Sequence, residues 1–248
     1  MLLDFDGALA PIVADPDAAR GLPEALEALE RLSRRLGLVA IVSGRPVDFL
    51  LSVLPEVLLA GPSAAPLFLV GQHGLERVVG GRHEVDPRVA PWREAVAAAA
   101  RQAEMEMPDL VVERKDDIAV NLHWRLAPER AAEGAALGRR LAEAHGLAAA
   151  PMRMGVELRP PVPVDKGTVV AELAAGRHAA LFAGDDHGDL AAFAALDELV
   201  AGGRLEHAMR IAVRSEEAPP VLLEAADYQV DGPAGLAALL HRFADLIA

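Results

Sequence analysis

The chain opens, at residues 2–7, with the sequence Leu-Leu-Asp-Phe-Asp-Gly, an apolar lead that runs into two carboxylates one residue apart. A second acidic pair, Asp185 and Asp186, follows another apolar stretch, residues 180–184, far downstream. Taken alone, each pair is typical of a turn or a helix cap. Together, at the ends of two strands, they predict a shared Mg²⁺, because this hard cation prefers carboxylate and carbonyl oxygens.

Strand and helix patterns alternate around these two acidic pairs. We predict strands at residues 2–6, 39–43, 67–71, 180–184, 210–213 and 228–230, and helices at 23–36, 47–54, 166–175, 189–196 and 233–247. This alternation predicts parallel βαβ units, and therefore an α/β fold with a Rossmann-like sheet. Ligands bind beyond the carboxyl ends of such strands, so Asp4, Ser43 and Asp185 are expected to converge. Only three residues precede Asp4, so either the first strand is short or the chain begins within it.

The middle of the chain follows a different order. We predict helices at residues 92–105 and 128–145, paired strands at 110–115 and 119–124, and a further strand at 156–159, with the alanine tracts assigned to helices. This β-α-β-β-α-β-like order predicts a smaller α+β domain, residues 85–161. It would be inserted as a cap domain between two halves of a core, residues 1–84 and 162–248.

Composition excludes several classes of protein. With 248 residues, 52% of them apolar and 25% charged, the chain is typical of a globular protein. A net charge of −13 argues against a nucleic-acid partner, and the absence of cysteine excludes disulfides and thiol chemistry. No apolar run is long enough to span a membrane, and carboxylates occur where a signal peptide would be basic and apolar. We therefore expect a cytoplasmic protein, and a monomer.

The first motif predicts nucleophilic chemistry at phosphorus. Asp4 would attack, and Asp6 would protonate the leaving alkoxide and later activate water. Ser43, at the end of the second strand, has two readings: a helix cap, or a phosphate ligand that acts with nearby backbone N–H groups. Gly44 and Arg45 complete this second motif, and Arg45 would add positive charge.

The third and fourth motifs keep similar alternatives open. Lys166 is either a solvated lysine or a cation that screens the nucleophile against the phosphate. Asp185 would bind the metal with Asp186 in support, whereas Asp189 either caps the following helix or acts through water or Lys166. Three acids at one strand end would repel one another without a cation, which favours a metal site.

In this order, Asp4, Ser43, Lys166 and Asp185 resemble the four motifs of the haloacid dehalogenase superfamily. The insertion between the second and third motifs resembles its type C2 cap. More narrowly, the chain is similar to the trehalose-6-phosphate phosphatases. The stretches that carry this similarity lie at residues 43–45, 71–76, 113–115, 123–125, 156–160 and 165–167.

The resemblance implies a role for each core residue. Asp4 would be the nucleophile and Asp6 the general acid and base. The Asp4 carboxylate, the Asp6 backbone carbonyl and Asp185 would hold Mg²⁺. Ser43 and Lys166 would hold the phosphoryl group.

The resemblance also implies that Glu113, Lys115 and Glu157 bind the distal glucose of the substrate. Strand alternation places Glu113 with Lys115, and His123 with Arg125, on common faces. The same pattern is also typical of a polar outer face of a sheet that binds no ligand. The same two readings apply to a further group of candidate substrate ligands, Gln72, His73 and Gly74.

Two departures from the family pattern stand out. Ala8 replaces a usual threonine, and Gly188 and Leu190 replace threonine and glutamate in the fourth motif. The leading hypothesis is a phosphoric monoester hydrolase that converts trehalose 6-phosphate to trehalose and phosphate. The alternatives are a phosphatase for another sugar or pseudosugar phosphate, and a weakly active sugar-phosphate sensor. Two other classes are disfavoured. A phosphomutase would have its cap soon after the first motif, where only the short stretch 10–38 is available, and a receiver domain would lack the insertion.

Overall fold

The computed structural model describes residues 1–13, 15–60, 67–79, 81–152, 154–216 and 218–247, which fall into two units. One unit comprises Met1–Glu84 with Val164–Ala248, and the other comprises Val85–Pro163. The strands are β1 (Leu2–Leu3), β2 (Ala40–Val42), β3 (Phe68–Gly71), β4 (Glu76–Val79), β5 (Arg82–Val85), β6 (Val111–Lys115), β7 (Ala119–His123), β8 (Ala148–Met152), β9 (Gly155–Arg159), β10 (Ala179–Gly184), β11 (His207–Arg214) and β12 (Tyr228–Asp231).

The α-helices of the described residues alternate with these strands over much of the chain. They are α1 (Pro23–Ser33), α2 (Val47–Val53), α3 (Glu56–Ala60), α4 (Arg93–Glu106), α5 (Ala131–His145), α6 (Lys166–Ala174), α7 (Leu190–Ala201), α8 (Pro220–Ala225) and α9 (Gly232–Leu246). None of them combines the length and the apolar character that crossing a membrane requires.

The larger unit is organised on an eight-stranded sheet in the order β12-β11-β10-β1-β2-β3-β4-β5. The pairs from β12 to β3 are parallel, and β4 runs antiparallel to β3. The predicted α/β fold with a parallel sheet is therefore confirmed. β1 has only two residues, yet it lies at the centre of the parallel strands.

Both faces of the central part of this sheet are covered, which explains why β10, β1, β2 and β3 are continuously apolar. Successive side chains point to opposite faces, so Leu2 and Leu3 are buried in different layers. Leu3 packs in the layer that contains α1 and α9, and Leu2 packs in the layer that contains α6 and α7.

The smaller unit has a four-stranded antiparallel sheet in the order β6-β7-β9-β8. Val120 and Leu122 of β7, with Val156 and Leu158 of β9, pack against α4 and α5 in one apolar cluster. The alternating positions on the opposite face carry polar side chains, described below.

Several local predictions were wrong. The alanine tract at Ala148–Ala150 lies in strand β8, not in a helix, so the insertion has the order α-β-β-α-β-β. β8 is an edge strand with β9 as its one neighbour in the sheet. Proline lacks a backbone N–H, and an edge strand tolerates this better than a central strand does, which is consistent with Pro151 in β8. The predicted strand at 119–124 ends at His123, and Arg125 lies in the following turn, not on the face of His123. Strands β4 and β5 were not predicted.

Helix α5 approaches the sheet of the smaller unit closely at Gly138. A Cβ atom placed there would lie 2.4 Å from Cγ1 of Val156. We therefore expect Gly138→Ala to lower the free energy of unfolding by about 1–2 kcal/mol, although alanine favours helix by about 1 kcal/mol. Urea unfolding followed by circular dichroism measures this change.

The double variant Gly138→Ala/Val156→Ala should lose less stability than the sum of the two single losses, because the smaller side chain removes the clash. Gly37→Ala is the matched control, since a Cβ there would meet one atom at 3.5 Å. A Gly138→Ala protein more stable than the wild type would contradict the packing described here.

Candidate active site

The carboxyl ends of adjacent parallel strands bring the core motifs to one edge of the sheet. Asp4 follows β1, and its backbone N–H donates to the carbonyl of Ala183 on β10 at 2.9 Å. Asp185 follows β10, and Ser43 follows β2. The neighbouring order β10-β1-β2 therefore places the ends of three motif-bearing strands side by side.

Lys166 is the buried cation at this edge. It is the first residue of α6 and is only 3% exposed. Its Nζ lies 2.9 Å from Asp4 Oδ2, 2.6 Å from Asp189 Oδ1 and 3.9 Å from Asp186 Oδ1. Burial acts to lower the pKa of Lys166, but Asp189, Asp4 and Asp186 outweigh it and raise the pKa well above its usual value. The ammonium charge is thus held firmly beside Asp4.

Asp189 fixes both this lysine and the acidic loop. Its Oδ1 accepts a hydrogen bond from Lys166 Nζ. Its Oδ2 accepts from the backbone N–H groups of Asp185 at 2.8 Å and Asp186 at 3.0 Å. Asp186 and Asp189 also form a reciprocal capping box ahead of α7. Asp189 therefore both caps this turn and pairs with Lys166.

An oxygen-rich cluster at the same edge fits a divalent cation. Carboxylate oxygens of Asp4, Asp185 and Asp189 lie within 4.8 Å of one another. Burial, with Asp189 and Asp186 nearby, raises the pKa of Asp185 to about 8. Both oxygens of Asp189 already have partners, so Asp4 and Asp185 are the carboxylates suited to bind the ion. A cation there would stabilise their charged forms.

Gly7 makes this acidic cluster possible. Its φ of +76° lies in the left-handed region, and a Cβ atom would come within 2.0 Å of Asp185 Oδ2. Only a residue without a side chain allows the first motif to turn so close to the fourth.

Asp6 is oriented by Arg45 through a bidentate ion pair. Arg45 Nε lies 2.7 Å from Asp6 Oδ2, and an Arg45 terminal nitrogen lies 2.8 Å from Oδ1. The guanidinium carbon also lies 4.5 Å from the ring centroid of Phe49. Because the planar guanidinium contacts both Phe49 and Asp6, it fixes the orientation of the Asp6 carboxylate.

The Ser43 loop is tied to the loop that follows β3. Ser43 is buried, and its hydroxyl accepts from the backbone N–H of Arg45 at 3.1 Å within the turn, but it does not cap α2, whose N-cap is Pro46. The backbone N–H of His73 donates to the Ser43 carbonyl at 2.9 Å. The His73 ring lies against Gly44, where a Cβ would be 2.7 Å from it. Gly74 has a φ of +118° and packs against Val164.

Glu76 holds these two loops together, a role that the sequence alone does not predict. It is fully buried, and its carboxylate accepts from Gln72 Nε2 at 2.7 Å and from the Val47 backbone N–H at 2.9 Å. His83 Nε2 lies 3.0 Å from the same carboxylate. The signal available was its place at the end of the 71–76 motif stretch.

In the smaller unit, the sheet face opposite the helices carries the predicted sugar ligands. Lys115 Nζ donates to Glu157 Oε1 at 2.9 Å, and both side chains are less than a tenth exposed. Glu113 Oε2 accepts from His123 Nε2 at 2.9 Å and from Asn121 Nδ2 at 2.8 Å. Asn121 was not predicted as a site residue, although it alternates with His123 along β7.

The trehalose-phosphatase family profile matches residues 2–233 of the chain. The chain belongs to the trehalose-phosphatase family. The resemblance that its motifs indicate is thus confirmed.

Curated relatives of this family member are longer than the chain itself. A trehalose-phosphate phosphatase of Mycobacterium tuberculosis (strain ATCC 25618 / H37Rv) is 39% identical over 172 residues, which cover 67% of this chain and 41% of that protein. One from Mycobacterium avium (strain 104) is 33% identical over 257 residues, which cover 99% of this chain and 62% of that protein. The chain therefore spans less than two thirds of the length of either relative.

Solved structures support the same fold. The C-terminal domain of the C. albicans trehalose-6-phosphate phosphatase superposes with a TM-score of 0.76 at 22% identity, covering 100% of this chain and 92% of that chain. At this identity the similarity concerns the fold of the trehalose-phosphatase chain, not its substrate.

The pKa of Glu113 makes the stability of the smaller unit sensitive to acid. Burial acts to raise that pKa, but hydrogen bonds from His123 and Asn121 and the charge of Lys115 outweigh it and lower the value from 4.5 to about 2. The unfolded chain takes up the proton first as the pH falls. Stability from ionised Glu113 is therefore complete above about pH 4.5 and is lost as the pH falls toward 2.

We expect the advantage of the wild type over Glu113→Gln, in free energy of unfolding, to shrink by about 2 kcal/mol between pH 6 and pH 3. Urea unfolding at each pH measures it. Glu129→Gln, at an exposed position of the same unit, is the control for loss of one carboxylate. An advantage that stays constant over this pH range would show that Glu113 is not stabilised in its ionised form.

Proposed function

We propose that this chain hydrolyses trehalose 6-phosphate to trehalose and inorganic phosphate. The observation that carries the proposal is the buried ammonium of Lys166, 2.9 Å from Asp4 at the carboxyl end of the parallel sheet. A carboxylate beside a fixed cation is a suitable nucleophile for an anionic phosphate ester. The family match adds the substrate class, and the polar sheet face of the smaller unit adds groups that bond hydroxyls.

The reaction proceeds in two displacements. First, an Asp4 oxygen forms a bond to phosphorus while the bond from phosphorus to the sugar oxygen breaks, and Asp6 gives its proton to that oxygen, releasing trehalose. Water then attacks the phosphorus of the aspartyl-phosphate, Asp6 takes the proton, and the bond to Asp4 breaks. Lys166 offsets the negative charge that gathers between Asp4 and the phosphoryl group.

Mg²⁺ is the cation that we assign to the acidic cluster, because its donors are all oxygen atoms. The Asp4 and Asp185 carboxylates and the backbone carbonyl of Asp6 would hold it. When bound, the ion supplies positive charge next to the phosphoryl oxygens. Asp186 and Asp189 support the loop that carries Asp185.

The remaining assignments concern substrate binding. Ser43, with the Gly44 and Arg45 backbone, would contact the phosphoryl group, and Arg45 orients Asp6 through its ion pair. Gln72 and His73 support that loop. In the smaller unit Glu113, Lys115 and Glu157 would bond the hydroxyls of the sugar, since each such group bonds several hydroxyls without requiring a charged ligand. The residues of these assignments are Ser43, Gly44, Arg45, Gln72, His73, Gly74, Glu113, Lys115, His123 and Glu157.

The departures at the first and fourth motifs leave this chemistry in place. Ala8 is fully buried in the apolar layer of α1 and α9, so its position is used for packing. Leu190 begins α7, after the last acid of the fourth motif. Asp4, Asp6, Asp185 and Asp189 are all present.

Phosphate release from trehalose 6-phosphate, with and without Mg²⁺, tests the proposal. We expect Mg²⁺-dependent turnover that Asp4→Asn lowers at least about 10³-fold, because the amide is not a nucleophile. Asp17→Asn, at an exposed position distant from the motifs in sequence, is the matched control and should retain activity.

Retained Mg²⁺-dependent activity in Asp4→Asn would refute the nucleophile. Equal or better turnover of another sugar phosphate would refute the substrate, and tight binding without turnover would favour the sensor. The cytoplasmic location and the monomeric state stay predictions, and light scattering coupled to size-exclusion chromatography tests the second.

A further inference from the structure

Three polar residues form a row across the sheet of the smaller unit. Glu113 on β6, Asn121 on β7 and Glu157 on β9 are direct cross-strand partners. All three lie on the face opposite α4 and α5, since their neighbours Val120, Leu122 and Val156 pack with the helices. Lys115 reaches from β6 across β7 to Glu157 on β9.

The hydrogen bonds of this row determine which atoms donate and which accept. The ionised Glu113 carboxylate only accepts, so the Asn121 atom 2.8 Å from Oε2 is the amide nitrogen. For the same reason His123 donates to that oxygen from Nε2 at 2.9 Å. In a neutral ring, Nδ1 of His123 is then an acceptor.

Two of these acceptors are buried without a partner among the described residues. They are Oδ1 of Asn121, a residue 2% exposed, and Nδ1 of His123, a residue 7% exposed. Most buried polar atoms in proteins have a hydrogen-bond partner, so two unfilled acceptors on the same face of β7 point to a missing donor. Hydroxyl groups supply such donors, whereas a phosphate or carboxylate would meet further negative charge from Glu113.

We propose that Asn121 is a specificity-determining residue of this face. It positions Glu113 by holding Oε2, which leaves Oε1 to the ligand, and its own Oδ1 accepts from a hydroxyl of the non-phosphorylated sugar ring. The identity of that sugar rests on the proposed function. A ligand without a hydroxyl at this position leaves the acceptor unfilled and is rejected.

The test replaces Asn121 by a leucine of similar size. Asn121→Leu should lower kcat/KM for trehalose 6-phosphate about 10- to 100-fold, mainly through KM, and should leave turnover of p-nitrophenyl phosphate unchanged. The melting temperature of the ligand-free protein should fall, because the hydrogen bond from Asn121 to Glu113 is lost, so the ratio of the two substrates decides the role of Asn121. The rise in melting temperature caused by free trehalose should be lost.

Two further variants separate positioning from structure. Asn121→Thr keeps a hydroxyl that donates and accepts, and should recover part of the lost kcat/KM. Gln229→Leu, the same amide-to-leucine change on β12 of the larger unit, should alter neither the ratio of the two substrates nor the trehalose effect.

Each remaining outcome contradicts either the inference about Asn121 or the proposed function. A fall in activity that is equal for both substrates, or a lower melting temperature with unchanged selectivity, would make Asn121 a structural residue and overturn the inference. If the wild type prefers another sugar phosphate, the proposed function is wrong. The inference about Asn121 is then tested by the ratio of kcat/KM for that sugar phosphate to kcat/KM for p-nitrophenyl phosphate. A wild type that hydrolyses no sugar phosphate and is not stabilised by trehalose overturns both.

Discussion

The buried ammonium of Lys166 is the interaction on which the rest of the larger unit's site depends. Its charge is removed from water, which is tolerable only because Asp4 and Asp189 both lie within 3 Å of it. Through these two contacts one side chain joins the end of β1, the start of α6 and the loop between β10 and α7. Asp189 extends the connection, since it also holds the backbone of that loop. Asp4, Lys166 and the acidic loop are thus one electrostatic unit.

Much of the fold followed from patterns that physical chemistry constrains strongly. Strands buried on both faces must be continuously apolar, so β2 and β10 were visible in the sequence, and amphipathic spacing indicated α1 and α9. Parallel order then places the residues that follow β1, β2 and β10 at one edge, which is why Asp4, Ser43 and Asp185 lie on neighbouring strands.

Other features depend on register and on tertiary packing, which a single sequence does not reveal. β8 consists largely of alanine, a strong helix former, and becomes a strand because β9 offers it an edge. The partners of Asn121 are set by which residues of β6 and β9 lie opposite it. Glu76 connects Gln72, Val47 and His83 through contacts between separate loops. Local sequence carries no direct signal for such pairings.

The close approach of Asp185 to the backbone at Gly7 restricts how this protein can diversify. The carboxylate occupies the volume in which any other residue would place its first side-chain atom. A substitution there displaces the acid itself, so the proposed phosphate chemistry leaves Gly7 little freedom to vary. On the sheet of the inserted unit, by contrast, Glu113, Asn121 and Glu157 lie on regular strands without left-handed backbone, so exchange of a side chain there meets no such backbone constraint. New substrates would therefore be acquired through the insertion, while the reaction is inherited unchanged.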